Sequence, residues 1–291
     1  MKLIDGVHPN RPFEPLIINA CLTGVVNKPG QSRTPMTISE IIEDACEVIE
    51  CGATILHCHA RDADGNNTWD PEVFGNIFTG IRRHHPEVVL CATCSGRVQN
   101  TYETRSAVLM LDGDAKPDMG SLTLGSMNFI TGPSINSPEM IQKLATTMVE
   151  RGIIPEMEVF DHGMLNYGLY LASRGVLKPP YYVNVLLGSL GTIPARAEDL
   201  CTMTRDIPGE WIWAGAGIGK FQLPINTLSI VMGGHVRVGL EDNIYYGYNK
   251  DIKATNADLV KRLVRVSNEL MRPISTIAQT RAKLNLRCCF P

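Results

Sequence analysis

The sequence lacks any long run of charge of one sign. Its 291 residues carry 27 basic and 30 acidic side chains, which gives a formal net charge of −3. A nucleic acid or an anionic membrane binds to a concentrated positive field, so we predict no general affinity for either partner. Apolar runs are short as well. None reaches the roughly 18 residues of a membrane-spanning helix, and the stretch MKLIDGVHPNRPFEP has no apolar segment of the kind found in secretory signals.

A regular cysteine framework is also missing. The nine cysteines are odd in number and scattered along the chain, which predicts reduced or buried thiols and a cytoplasmic protein. Cys91 and Cys94 form a C-x-x-C motif inside an apolar, strand-like run. An offset of three places them on opposite faces of a strand, so the spacing favours neither a redox pair nor a zinc pair. The adjacent Cys288 and Cys289 have no explanation in the sequence.

What the sequence does contain is a repeated alternation of short apolar runs and longer amphipathic segments, without a low-complexity linker. The predicted strands are 15–23, 53–60, 88–95, 119–127, 154–160, 182–189, 211–217 and 235–241. The predicted helices are 37–50, 71–84, 102–111, 137–151, 163–175, 197–205 and 222–232, followed by a last pair at 255–271 and 275–284.

Apolar strands that alternate with helices indicate a parallel sheet covered on both faces. Eight such units in about 250 residues fit a (β/α)₈ (TIM) barrel. A doubly wound open sheet is the rival, but the segment LTGVVNKPG after the first strand lacks a dinucleotide-binding fingerprint. We therefore predict an α/β TIM barrel, as a single domain over 1–291, with extra C-terminal helices from about 255 to 291.

Barrels of this class carry their chemistry at the carboxyl ends of the strands. The second predicted strand ends in ILHCHAR, where His57 and His59 lie two residues apart and therefore point to the same side. Two imidazoles that converge inside a barrel form half of a metal site. The alternative is one hydrogen-bonded core histidine and one loop residue.

The last predicted strand, in the segment HVRVGLED, supplies a third ligand. Arg237 and Glu241 share a face. Burying two charged side chains costs desolvation energy unless they form an ion pair or bind a metal. Two histidines and one carboxylate leave open coordination positions, as in catalytic metal sites. Asp242 follows directly. On an ideal strand it would face away from Arg237, but strand ends twist and Gly239 permits a bend toward the site. The alternative is that Glu241 and Asp242 begin a solvated loop.

Two weaker patterns also fall at predicted strand ends. Gly215, Gly217 and Gly219 in AGAGIGK either offer backbone amides to a phosphate or carboxylate, or form a plain tight turn. The hydroxyl pairs Thr93 with Ser95, and Ser121 with Thr123, either hold substrate oxygens or satisfy backbone groups.

Taken together, several stretches resemble the β-keto acid cleavage enzymes, typified by 3-keto-5-aminohexanoate cleavage enzyme. They are LHCHARDADGNNTWDPEVF, MGSLTLGSMNF, RGVLKPPYYVNVLLG and GHVRVGLEDN. The similarity covers nearly the whole chain. The combination of H-x-H-x-R-D-x-x-G with G-G-H-V-R-V-G-x-E-D is more specific than either motif alone.

The resemblance implies a zinc-dependent barrel that transfers part of a β-keto acid onto acetyl-CoA and releases acetoacetate and a new CoA ester. It implies that His57, His59 and Glu241 bind the zinc, and that Asp242 is the base, oriented by Arg237. Thr93, Ser95 and Ser121 fall where the family has substrate-contacting hydroxyls. It also implies a homotetramer. The residues that bind CoA are not evident, because no basic cluster stands out in the sequence.

One departure from the family affects the substrate. The aminohexanoate type has an acid near the end of the first strand, whereas this chain has Thr23-Gly24-Val25-Val26. We therefore expect a β-keto acid without a free amine. A metal-dependent aldolase or hydrolase that works without CoA is the alternative enzyme, and a non-catalytic barrel is the alternative from another class. The buried Arg237 and Glu241 argue against the non-catalytic barrel, because a purely structural interior avoids their desolvation cost.

Overall fold

The computed structural model describes residues 13–25, 33–130 and 132–287, and in this part of the chain eight parallel strands close into a barrel. In chain order the strands are β1 (Ile18–Cys21), β2 (Ile55–Cys58), β3 (Val89–Ala92), β4 (Met119–Thr123), β5 (Ile154–Val159), β6 (Tyr182–Leu187), β7 (Ile212–Gly217) and β8 (His235–Val238). Each strand lies within one of the eight predicted apolar runs, and each pairs with its neighbours in chain order. The predicted TIM barrel is confirmed.

Within the described residues, seven helices connect consecutive strands along the outside of the barrel, and two more follow the last strand. They are α1 (Ile38–Glu50), α2 (Pro71–His84), α3 (Tyr102–Ser106), α4 (Pro138–Glu150), α5 (His162–Ser173), α6 (Ala197–Arg205), α7 (Gln222–Val231), α8 (Asn256–Glu269) and α9 (Ile277–Lys283). Their starts follow from local chemistry, as at α1, where Thr37 and Glu40 form a capping box. The segment predicted as a helix over 102–111 is α-helical only to Ser106 and continues as a 3₁₀ turn to Met110.

The two C-terminal helices have different places in the barrel. Helix α8 packs against α1 and α7 and against strands β1 and β8, which is the place of the eighth barrel helix. Helix α9 leads to Leu284, which is buried among side chains at the amino ends of the strands, such as Ile17 and Ile55. The extra helical segment therefore closes the lower end of the barrel. The limits of a single domain at residues 1 and 291 stay a prediction.

The barrel interior changes from apolar to polar along the strands. Its lower layer is formed by Ile17, Ile55, Val89, Met119, Ile154, Tyr182 and Ile212. Because inward side chains alternate along a strand, the next inward positions are two residues further on. There most of the buried side chains are polar, namely Asn19, His57, Ser121, Glu156, Asn184 and Arg237, whereas β3 and β7 contribute Cys91 and Ala214. Apolar packing thus seals one end of the barrel and leaves buried polar groups facing the other.

One buried carboxyl group outside the barrel predicts a pH-dependent stability. Asp44 on α1 is half-buried and accepts a 2.7 Å hydrogen bond from Asn256 Nδ2. Burial raises the pKa of Asp44 to about 7. The native state therefore binds this proton more tightly than the unfolded state, whose carboxyl has a pKa of about 4, and stability is lost as the pH rises from about 4 to 7.

We therefore expect Asp44→Asn to raise the free energy of unfolding by about 1–2 kcal/mol at pH 8, a value reduced from the full shift because the group is partly solvated. At pH 4 the gain should vanish. Urea unfolding at both pH values measures this. Glu43→Gln, on the exposed side of the same helix, controls for the loss of one negative charge. An equal gain for Asp44→Asn at both pH values would contradict the explanation.

Candidate active site

The structure brings His57, His59 and Glu241 together at the carboxyl ends of β2 and β8. The Nε2 atoms of His57 and His59 lie 3.3 Å apart, and His59 Nε2 lies 3.3 Å from Glu241 Oε1. One nitrogen or oxygen from each of the three side chains lies within 4.8 Å of the others. All three are buried or nearly so. Three donor atoms thus face one small volume, as the spacing of the two histidines predicted.

A tight turn after β8 places the two acids that follow it. The amides of Asp242 and Asn243 both donate to the carbonyl oxygen of Gly239. A Cβ at Gly239 would overlap the carbonyl of Cys21 on β1, so the close approach of β1 and this turn requires glycine. The turn carries Asp242 back toward the barrel axis, which an extended strand could not do.

His57 is held in place by a carboxyl group on β5. Its Nδ1–H donates to Glu156 Oε2 at 2.6 Å, which leaves the Nε2 lone pair facing His59 and Glu241. Glu156 is fully buried, and its other oxygen accepts from the side-chain amides of Asn19 and Asn184 at 2.6 and 2.9 Å. Strands β1, β2, β5 and β6 therefore meet at one carboxylate, which fixes the orientation of the imidazole.

A second group of possible ligands, His57, Cys91 and Glu156, lies one layer deeper. Its atoms already bond to one another, because Glu156 Oε2 accepts from His57 Nδ1 and from Cys91 Sγ at 3.2 Å. Glu241 Oε2, in contrast, is buried and has no hydrogen-bond partner among the described residues. The group of His57, His59 and Glu241 is therefore the better candidate for a metal.

Arg237 contacts three carboxyl groups, one of which is the candidate metal ligand Glu241. Its Nη2 lies 2.9 Å from Glu241 Oε1, its Nη1 lies 2.9 Å from Glu158 Oε1, and its Nε lies 3.1 Å from Asp242 Oδ2. The side chain is 1% exposed. Three nitrogens of one planar guanidinium thus fix three acids, an arrangement that a lysine could not reproduce.

The electrostatics of the cluster follow from an excess of carboxyl groups. Burial disfavours a charged imidazole, but Glu156 and Glu241 outweigh it and raise the pKa of His57 to about 9. Burial lowers the pKa of His59. Burial alone would raise the pKa of Glu241, but the two imidazoles and Arg237 hold this pKa well below its usual range. Burial raises the pKa of Glu158. The cluster therefore favours additional positive charge beside His57.

A cavity of about 300 Å³ opens above the cluster. Its lining includes His57, His59, Arg237, Glu241 and Asp242, together with Thr93, Ser95, Arg97, Thr123, Glu158 and apolar side chains from several loops. Seven of the eight residues predicted for metal, catalysis and substrate therefore lie at one cavity.

Ser121 is the exception among the predicted residues. Its buried hydroxyl accepts a 2.9 Å hydrogen bond from the Cys94 amide, one layer below the cavity. Thr123, the next inward residue of β4, lines the cavity instead and donates to Glu158 Oε2 at 2.7 Å. The structure therefore gives Ser121 the alternative role, satisfaction of a backbone group.

The glycines of AGAGIGK also take the alternative role. The amides of Ile218 and Gly219 donate to the carbonyls of Leu187 and Asp242, so neither is offered to a ligand. A Cβ at Gly217 would overlap the backbone of Phe221, and one at Gly215 would overlap Ser229. Gly215 and Gly217 therefore permit close packing of α7, and of the turn before it, on β7.

Three residues of the site, Glu156, Glu158 and Arg97, were not among those predicted from the sequence. The first two lie two residues apart in the apolar strand IPEMEVF, and acids at inward positions of a buried strand are a usable signal. Arg97 follows β3, and its guanidinium carbon lies 3.9 Å from the ring centroid of Phe129, at the cavity. Its contact depends on a loop that strand periodicity does not place.

Fold and site together define a barrel enzyme, with buried acids, imidazoles and a guanidinium around a cavity at the carboxyl ends of the strands. The sequence model of the β-keto acid cleavage enzyme family matches residues 15–286. The chain belongs to this family.

Known proteins agree with this assignment. The chain is 37% identical to a 3-keto-5-aminohexanoate cleavage enzyme of Fusobacterium nucleatum, over 94% of this chain and 99% of that protein. It is 34% identical to a 3-oxoadipate:acetyl-CoA acetyltransferase of Cupriavidus necator, over 94% and 95%. A solved complex of ObcA with oxaloacetate shares the fold, with a TM-score of 0.78 and 18% identity over 88% of this chain and 68% of that one.

None of the described helices has the length and apolar character that crossing a bilayer requires.

One glycine supports the candidate metal ligand directly. Gly24 has φ +62°, and a Cβ there would lie 2.5 Å from Cγ of Glu241. We expect Gly24→Ala to displace the Glu241 carboxylate. If these residues bind zinc, as proposed below, the zinc affinity should fall by about 10–100-fold, as removal of a supporting contact typically does. A zinc titration with a competing chelator measures it. Gly113→Ala is the matched control, because Gly113 has φ +60° but no atom within 4 Å of the added Cβ. Equal zinc affinity in both variants would contradict the expected clash.

Proposed function

We propose that the protein is a zinc-dependent β-keto acid cleavage enzyme that condenses a β-keto acid with acetyl-CoA. The products are acetoacetate and a new acyl-CoA ester. The convergence of His57, His59 and Glu241 beside the Arg237–Asp242 pair, at one cavity, is the observation that carries this proposal.

The residues present fit a zinc ion. Two imidazole nitrogens and one carboxylate are zinc ligands, and three protein ligands leave a position open for substrate. Glu156 supports His57 from behind, as acids commonly do at metal sites. The buried Glu241 Oε2 accepts no hydrogen bond from the described residues and lies 3.6 Å from His57 Nε2, which gives the fit an independent basis. When bound, zinc would supply a Lewis acid that polarises the ketone and stabilises negative charge.

The reaction exchanges one carbon–carbon bond for another. C2 of the β-keto acid becomes bonded to the acetyl carbonyl carbon as the C–S bond of acetyl-CoA breaks. The bond between C2 and C3 then breaks, C3 becomes bonded to the freed CoA sulfur, and C2 takes up a proton to give acetoacetate. A base must first remove a proton from C2. Asp242 lines the cavity and is fixed by Arg237 Nε at 3.1 Å, so we assign this proton to Asp242. Thr93 and Ser95 line the same cavity, and we assign their hydroxyls to the binding of substrate oxygens.

The lining of the cavity supports a substrate without a free amine. Among the described lining residues, the acids are Glu158, Glu241 and Asp242, and each contacts Arg237. The remaining walls include Val25, Met127 and other apolar side chains, with the cation of Arg97 among them. A substrate ammonium that lies against these apolar walls, away from the acids around Arg237, would be desolvated without a carboxylate, which is costly. Val26 lies outside the described residues.

The test begins with metal analysis of the purified protein, followed by assay of acetoacetate formation from a panel of β-keto acids with acetyl-CoA. We expect chelation to abolish the activity and zinc to restore it. Substrates with an uncharged tail, such as 3-oxohexanoate, should exceed 3-keto-5-aminohexanoate in kcat/KM by at least about 10-fold.

Each part of the proposal has its own contradicting result in this assay. Cleavage that proceeds equally well without a thioester would support the metal-dependent aldolase or hydrolase instead. A preference for 3-keto-5-aminohexanoate would overturn the proposed substrate class alone. The homotetramer and the cytoplasmic location stay predictions.

A further inference from the structure

A second, smaller cavity shares a wall with the active site. It has a volume of about 200 Å³ and is lined by the loops that follow β7 and β8. Glu241 and Asp242 belong to the lining of both cavities. A ligand with a long arm could therefore lie in the second cavity and reach the reacting atoms in the first.

Lysines and tyrosines surround this second cavity. Lys220 Nζ lies 3.4 Å from Tyr248 Oη and 5.3 Å from the centre of its ring. Lys250 also lines the cavity, and Lys253 lies 4.1 Å above the ring of Tyr245. Tyr248 is 69% exposed. Within the described residues, none of these three ammonium groups forms a salt bridge with a carboxylate, although the exposed Asp251 lies nearby.

The chemistry of this rim suits a phosphorylated nucleotide on a long arm. Lysine ammonium groups bind phosphates, and an exposed tyrosine ring offers a stacking surface for a base. The carboxyl groups of the active site repel phosphates, and the lysines offset this repulsion at the point where the cavity opens. Acetyl-CoA combines an adenine, three phosphates and a pantetheine arm that ends in the thioester.

We propose that Lys220, Lys250, Tyr245 and Tyr248 bind the nucleotide end of acetyl-CoA, so that its arm passes over Glu241 and Asp242 into the active site. This site rests on the proposed use of acetyl-CoA as co-substrate. The lysines are about 30 residues apart in the sequence, which is why no basic cluster is visible before folding.

The first test is a binding titration that does not depend on turnover. Adenosine 3′,5′-bisphosphate, the nucleotide end without the arm, is titrated calorimetrically into the zinc-loaded protein. We expect the double variant Lys220→Ala, Lys250→Ala to raise its Kd by at least about 10-fold, and Tyr248→Ala to raise it by about 5- to 50-fold. Lys178→Ala is the control, because this exposed lysine lies at the opposite end of the barrel, before β6.

The second test is kinetic. The double variant should raise the KM for acetyl-CoA by at least about 10-fold without a matching rise in the KM for the β-keto acid, and it should lose any preference for acetyl-CoA over S-acetylpantetheine. An unchanged Kd and KM in the double variant would overturn the site and leave the proposed function standing. Absence of binding to the unaltered protein at millimolar nucleotide would overturn it as well. Thioester-independent cleavage would overturn the proposed function itself.

Discussion

Replacement of His59 by alanine should reduce bound zinc from about one ion per chain to less than about one tenth, and lower kcat/KM by about 10³-fold or more. His59 Nε2 lies 3.3 Å from both His57 Nε2 and Glu241 Oε1, so it completes the set of three ligands that we propose for zinc. Two ligands hold zinc poorly, and loss of the Lewis acid removes several kcal/mol of stabilisation from the transition state. Elemental analysis and the acetoacetate assay measure the two effects.

His59 is preferred to His57 for this experiment, because His57 also donates to the buried Glu156 and its removal would disturb the barrel interior. The matched control is His162→Ala, which removes an imidazole that is 45% exposed on α5. Full zinc content with normal activity in His59→Ala would show that zinc binds elsewhere in the protein.

Replacement of Asp242 by asparagine should separate the base from the metal. We expect kcat to fall by about 10²–10⁴-fold, the usual contribution of a general base, while zinc content stays at the level of the unaltered protein. Asparagine is nearly isosteric and keeps an oxygen that can accept from Arg237 Nε, so the effect isolates proton abstraction. Steady-state kinetics and elemental analysis of the same preparation measure it.

Asp64→Asn removes a carboxylate from an exposed loop and serves as the control for charge. A kcat for Asp242→Asn within about threefold of the unaltered enzyme would rule out Asp242 as the base. Joint loss of zinc and activity would instead point to a role for Asp242 in metal binding.

The fold could be predicted from the sequence because every barrel strand is an apolar run with its own boundary. Strand β5 lies in IPEMEVF and strand β7 lies in WIWAGAG, and both were located within a few residues. Helix α2 begins with Asp70 as its cap and Pro71 in its first turn, a pattern that fixes a boundary without tertiary information. Helix α3 was harder, because its change to a 3₁₀ turn after Ser106 has no comparable local pattern.

The site was predictable where strand geometry alone decides the direction of a side chain. His57 and His59 share a face by their spacing of two, and the structure places them 3.3 Å apart. Asp242 was harder, because its return to Arg237 depends on hydrogen bonds from two amides to Gly239. Periodicity along an extended strand gives the wrong direction for it.

Other parts of the site depend on contacts between distant segments. Glu156 is 99 residues from His57, and only the closed barrel brings their side chains to 2.6 Å. The hydroxyl of Ser121 lies one layer below the cavity and bonds to the Cys94 amide instead of lining the cavity. Which layer an inward residue reaches depends on the stagger of neighbouring strands. The lysine and tyrosine rim is assembled by two loops after β7 and β8, whose lengths and turns the apolar pattern does not fix.

X-ray absorption at the zinc edge tests the central claim most directly. The two groups of possible ligands share His57, but only the second group, with Cys91, contains a sulfur atom. A site formed by His57, His59 and Glu241 predicts a first shell of nitrogen and oxygen at about 2.0–2.2 Å. It also predicts loss of the zinc signal in His59→Ala. A sulfur neighbour at about 2.3 Å would instead identify Cys91 as a ligand and contradict the site proposed for catalysis.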